Sequence, residues 1–224
     1  MDTIGFGDSS PLPRGADSIE AWAEVVIALL DALDLARVDI VGHHTGASVG
    51  IEVAGTKPER VRSLVLSSTP YDEPAARAAE ASGRAAVDDV EQRADGSHLL
   101  ELWRIRAGFY PEGNVELLER FIVDALTAGP LASEGHRVVA RYDVQTAVAR
   151  IRCPVLLIGA TADPYAYPAL ARLRSALPRA SVVEIAGGMV PLPDQLPERF
   201  ATVVEQFLNE LAAPEQPDDG AKTC

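Results

Sequence analysis

A pair of adjacent histidines is the feature of this chain best suited to chemistry. In Val41-Gly42-His43-His44-Thr45-Gly46-Ala47, small residues stand two before and two after His44, where a β-rich run meets a helical stretch. Such a turn strains its apex residue, and its neighbours lack bulk so that strand and helix can approach closely. An imidazole at that apex has three readings. It can take a proton from water or an acidic C–H as general base, attack a carbonyl through a ring nitrogen to give an acyl-imidazole, or fill space as a polar side chain. His43 is expected to support its neighbour by packing and hydrogen bonding. Two other positions follow strand-like runs. Asp163, ahead of Pro164, is of the type that caps turns. Met189, in Gly187-Gly188-Met189-Val190-Pro191, is a thioether that fills a core and cannot relay protons.

Other chemistries fit poorly. Gly42, Gly46 and Gly50 match neither phosphate-cradling spacing, G-x-G-x-x-G or G-x-x-x-x-G-K-[ST], and the next strand ends in Ser67-Ser68 rather than a ribose-binding carboxylate. A formal charge of -13 repels nucleic acid and anionic lipid. The longest apolar run, Val25 to Leu30, is far short of the roughly 20 residues a bilayer demands, and Met1-Asp2 opens no basic leader, so a cytoplasmic protein without membrane contact is expected. Cys153 and Cys224 build neither a disulfide framework nor a metal cluster. No cofactor or metal is expected, and the partner is a small molecule.

The elements that must position these residues alternate. With 47% hydrophobic and 24% charged residues in 224, a folded domain with one sizeable core is the default. Ile19, Trp22, Val26, Leu29, Leu30 and Leu33 mark one face of a helix over 17–35, with Asp17 and Glu20 spaced as a capping box. Strand-like runs at 38–41, 61–66, 154–159 and 181–185 alternate with helices predicted over 45–56, 167–177 and 197–211, which implies a parallel sheet with right-handed crossovers. Between 69 and 149 the alternation stops in an Ala-rich, helical segment punctuated by Gly and Pro. Its aromatics Trp103, Phe109, Tyr110, Phe121 and Tyr142 either line an apolar pocket or form the segment's own core. Residues 212–224 read as a disordered tail.

Together with this order of strands and helices, the turn at His44 resembles the nucleophile elbow of the α/β-hydrolase family, and the likeness runs from Met1 to about Leu211. Asp2-Thr3-Ile4-Gly5-Phe6-Gly7-Asp8-Ser9 is similar to the family's loop after its fourth strand, and Lys57-Pro58-Glu59-Arg60-Val61 to its helix-to-strand turn. The resemblance implies a partial α/β-hydrolase fold of class α/β, a parallel sheet flanked by helices with an inserted helical cap. The core is 1–68 and 150–211, and the cap, expected to cover the site, is 69–149. It also implies that strands preceding Asp2 are missing, which leaves the run at Val38 as a sheet edge through which a homo-oligomer could form.

By the same resemblance His44 occupies the nucleophile position, Asp163 the acid position and Thr45 supplies an oxyanion amide, while His43 and Met189 line the site. Met189 stands where the family places its base histidine, so a serine proton relay cannot be assembled here. The expected activity is hydrolysis of a small ester- or lactone-like molecule. The alternative is a catalytically inactive hydrolase-fold protein that binds a small apolar ligand or a partner.

Overall fold

The computed structural model describes residues 1–13, 15–72 and 88–213. The expected tail from 214 onward, and residues 73–87 of the expected cap, lie outside the described residues.

Helix α1 (Ile19–Ala32) buries Ile19, Trp22, Ala23 and Leu30. Its N-cap is Ser18, whose hydroxyl accepts from the Ala21 amide at 3.1 Å. Asp17, expected to cap the helix together with Glu20, instead accepts from the Trp22 indole N–H at 3.1 Å. The buried indole needs an acceptor, and the Asp17 carboxylate, five residues earlier, supplies one. The helix also stops short of the expected end, and Leu33, read as part of its apolar face, is 58% exposed.

Four parallel strands follow in spatial order β1-β2-β3-β4: β1 (Val38–His43), β2 (Val61–Ser67), β3 (Val155–Ala160) and β4 (Ser181–Ile185). The central strands read as near-continuous apolar runs because both their faces are covered. Period-two alternation divides their side chains. Leu64, Leu66 and Leu157 pack with Trp22, Ala47 and Ile51 on the side of α1 and α2 (Thr45–Thr56), while Val65, Leu156 and Ile158 pack with Ile185 and Phe207 on the side of the last helix. Strand β1 is an edge of the described sheet, and its Val41 is 46% exposed. Asp39 keeps this edge polar, accepting from Ser63 Oγ at 2.7 Å and pairing with Arg62.

Between β2 and β3 the described residues form helices α3 (Ser97–Ala107), α4 (Val115–Ala128), α5 (Pro130–Arg141) and α6 (Val144–Val148). Tyr110, Leu117 and Leu118 make a small core of their own, against which Trp103, Phe109 and Phe121 pack. Tyr142 is separate from it: buried in the main core, it donates to Glu52 Oε2 at 2.8 Å. After β3 come a 3₁₀ turn at Tyr167–Ala169 and α7 (Leu170–Ala176), and after β4 come α8 (Leu192–Gln195) and α9 (Pro197–Ala212). No described helix is long and apolar enough to cross a membrane.

Candidate active site

The site lies where β1, β3 and β4 end, at the carboxyl edge of the sheet where open α/β sheets leave a crevice. His44 joins β1 to α2 with φ 46° and ψ −116°. A non-glycine residue at positive φ costs of order 1–3 kcal/mol and persists only where its surroundings hold it. Here the His44 amide donates to Ser67 O at 3.0 Å, and the His44 carbonyl accepts from the Ala47 amide at 2.9 Å. Ser68, next along from Ser67, is also a non-glycine residue at positive φ (45°), so strain gathers at the ends of two neighbouring strands.

The close approach of strand and helix falls on one glycine. A Cβ on Gly42 would lie 2.4 Å from Gly46 O and 2.7 Å from Ala47 Cα, both backbone atoms. A Cβ on Gly46 would meet nothing within 4 Å. The expectation that both flanking glycines answer a need for small size therefore holds before His44 and fails after it, because the Gly46 backbone lies against Gly42 while the direction a Gly46 side chain would take is open.

His44 Nε2 stands 2.9 Å from Asp163 Oδ2. The Asp163 side chain is fully buried and the His44 ring is 24% exposed, so the pair is screened on one side and reachable on the other. Asp163 Oδ1 accepts the amides of Tyr165 at 2.9 Å and Ala166 at 3.1 Å. Burial alone would raise this carboxyl. The hydrogen bond and charge of His44, with the two amides, outweigh burial and hold it below the usual carboxylate range. An ionised Asp163 only accepts, so the proton between the pair sits on His44 Nε2, and in the neutral ring the lone pair is then on Nδ1. Nδ1 has no hydrogen-bond partner among the described residues.

His43 has a different task. Its Nε2 is 2.8 Å from Val190 O, which can only accept, so Nε2 carries the proton and Nδ1 receives one from Ser67 Oγ at 3.0 Å. The parallel register sets His43 opposite Ser67 and makes the second contact automatic. One ring thus ties the ends of β1 and β2 to the turn after β4, and it meets the His44 ring edge-on at 4.7 Å between centroids. Burial, and next the charge of His44, lower the His43 imidazole to about 4. The folded state then binds fewer protons at this ring than the unfolded chain between about 4 and 6.5, so its contribution to stability is complete above about 6.5 and is lost as pH falls toward about 4. Nitrogen NMR should find His43 as the neutral Nε2–H tautomer at pH 6. A ring titrating near 6.5 would refute this arrangement.

Thr45 is the first residue of α2, so its amide has no carbonyl one turn earlier to bond and lies at the positive end of the helix dipole. Met189 lies in the turn after β4, its amide donating to Gln195 Oε1 at 2.7 Å, and it forms no hydrogen bond to either imidazole. The structure thus brings His44, Asp163, Thr45 and His43 together and places Met189 one residue from the carbonyl that holds His43. Ser67, Val190 O and the amides of Tyr165 and Ala166 were not foreseen. Of these, Ser67 alone left a trace, as a small polar residue closing the strand beside the histidines.

The family is now plain: the Alpha/beta hydrolase family matches residues 1–203, and the chain belongs to it. A relative aligned over nearly the whole chain is the RutD protein of Caulobacter sp. (strain K31), named as a carbamate hydrolase, 25% identical over 217 residues that cover 95% of this chain and 80% of that protein. A shorter match reaches 41% identity over 66 residues, 30% of this chain, in the dihydrolipoyllysine-residue acetyltransferase component of the acetoin cleaving system of Pseudomonas putida, and it covers 18% of that protein. Among solved structures, a hydrolase from Pseudomonas aeruginosa PA01 superposes with a TM-score of 0.72 at 25% identity, covering 92% of this chain and 77% of that one.

Proposed function

We propose that this chain hydrolyses a small ester- or lactone-like molecule, with His44 as general base and Asp163 as its orienting acid. The observation that carries the reading is the 2.9 Å contact between His44 Nε2 and a fully buried, doubly capped Asp163. That contact fixes the tautomer and leaves Nδ1 as the basic atom. The name of one relative, a carbamate hydrolase, agrees with an acyl-group reaction.

In this mechanism Nδ1 takes a proton from a water molecule whose oxygen adds to the acyl carbon. The Thr45 amide stabilises the oxyanion, and the imidazolium returns the proton to the leaving oxygen as the tetrahedral adduct collapses. Asp163 stabilises the imidazolium without accepting its proton, and His43 positions the His44 ring from the side. Met189 takes no part in proton transfer, since a thioether is not a base at neutral pH. A panel of esters and lactones, assayed with Asp163→Asn as control, tests the reading. Rapid-quench sampling should find no acylated imidazole and no burst of product. A trapped acyl-His44 would make the ring a nucleophile, and a panel without Asp163-dependent turnover would leave the chain as a non-catalytic binder.

A further inference from the structure

The turn after β4, residues 186–190, serves both halves of the site. On one side it meets the loop that carries Asp163: the Ala162 amide donates to Gly188 O at 2.8 Å, and the Gly187 amide donates to Thr161 Oγ1 at 2.9 Å. On the other side it offers Val190 O to His43 Nε2 at 2.8 Å. Gly187, at φ 75°, and Gly188 make the reversal, and neither has a side chain with which to brace it.

The brace comes from Gln195, the last residue of α8. Its Oε1 accepts the Met189 amide at 2.7 Å, and its Nε2 donates to Gly187 O at 2.9 Å. A main-chain N–H only donates and a carbonyl only accepts, so these partners fix which end of the side-chain amide is which. The Gln195 main-chain amide also donates to Pro191 O at 2.8 Å. One residue therefore holds the chain both before and after Val190, and the Val190 carbonyl stays aimed at His43. Without that acceptor the neutral His43 ring would have two tautomers open to it, because the Ser67 hydroxyl can donate to Nδ1 or accept from it.

Resting on the hydrolase reading for its effect on rate, we propose that Gln195 is a positioning residue of the site. It fixes Val190 O, and Val190 O fixes the Nε2–H tautomer of His43, the ring that meets His44 edge-on. Gln195 bonds to the turn and acts on the imidazoles through it. Arg199 bonds to the same turn differently. Its Nη1 donates to Ala186 O at 3.2 Å, which steadies the start of the turn without flanking Val190.

Nitrogen NMR of the full chain with labelled histidine, at pH 7, reads the tautomer directly. Gln195→Leu keeps the approximate size of the side chain and the main-chain bond to Pro191 but can neither donate nor accept at its tip. His43 should then populate both tautomers in place of one. In the same variant kcat for an ester should fall about tenfold, the upper range for the net worth of one hydrogen bond, with KM unchanged. Gln195→Glu keeps an acceptor for Met189 but at pH 7 has no proton to give Gly187 O, so it should also mix the tautomers. It carries the test if thermal melts show that Gln195→Leu does not fold. Arg199→Ala should leave His43 in the single Nε2–H form. A single tautomer in folded Gln195→Leu or Gln195→Glu, or equal mixing in Arg199→Ala, would overturn the proposal. The two readings fail separately. Mixed tautomers in the Gln195 variants of a chain that turns over no ester would refute hydrolysis and leave Gln195 as the residue that positions His43. Ester turnover that falls in those variants while His43 keeps one tautomer would refute the positioning role alone.

Discussion

Replacing His44 by Ala should lower ester or lactone turnover on the order of 100-fold or more, about 3 kcal/mol of transition-state stabilisation. Among the described residues of the site the variant loses the one nitrogen with a free lone pair, and no other described group stands ready to take the proton from water. Asp163→Asn should be nearly as damaging, for a reason that geometry makes specific. The amides of Tyr165 and Ala166 occupy Oδ1, so an asparagine would keep its carbonyl oxygen there and turn its NH₂ toward His44. Nε2 would have to accept, the proton would move to Nδ1, and the ring would present a donor to water where a base is needed. Steady-state kcat and kcat/KM on the same substrate, with thermal melts to show that both variants fold, measure the two effects. Retention of activity within a few-fold in His44→Ala would end the general-base reading. A large loss in that variant with none in Asp163→Asn would mean that Asp163 does not set the tautomer.

Much of this arrangement could be read from residue order, and the parts that could not share a physical cause. The strand-turn-helix at His44 is local: its strand, its apex and its helix are contiguous, so apolar periodicity and one indispensable glycine reveal it. The helix Thr45–Thr56 and the strand Ser181–Ile185 begin and end as expected because each is bounded by residues that stop it, as Lys57-Pro58 does for the helix. From its own neighbourhood Asp163 reads as a carboxylate after a strand, and only the family resemblance assigns it the acid position. Its contact with His44 spans 119 residues and depends on β3 lying two strands from β1, an order no local pattern encodes. The cap of α1 was misassigned for a similar reason. Asp17 and Glu20 have capping-box spacing, but the decision between Asp17 and Ser18 rests on where the Trp22 indole ends once it is buried. Tyr142 illustrates the same limit in the helical segment, since its partner Glu52 lies 90 residues earlier on α2.

Substituting Ala at Gly42 should destabilise the fold by about 3 kcal/mol or more, at the upper end of overpacking costs because the obstacles are backbone atoms. The new Cβ would stand 2.4 Å from Gly46 O, 2.6 Å from Gly46 C and 2.7 Å from Ala47 Cα, and none of these can rotate away as a side chain would. Relief requires the first turn of α2 to move off β1, and His44 moves with it, away from an Asp163 held in place by two amides. Stability and catalysis should therefore fall together. For a chain of this length the melting temperature should drop by about 6–12 °C. Gly50 and Gly46 calibrate the effect on the same helix. A Cβ at Gly50 meets Ile40 Cγ2 and Leu64 Cδ1, each at 3.1 Å, side-chain atoms that can give by a few tenths of an ångström, so Gly50→Ala should cost less than Gly42→Ala. At Gly46 the space is open, and Ala there should stabilise the helix by roughly 0.5–1 kcal/mol through the entropy glycine loses on folding. Thermal or denaturant unfolding of the three variants gives the order directly. If Gly42→Ala proved as stable as Gly46→Ala, the close packing of β1 on α2, and with it the account of how His44 is held at its strained φ, would be wrong.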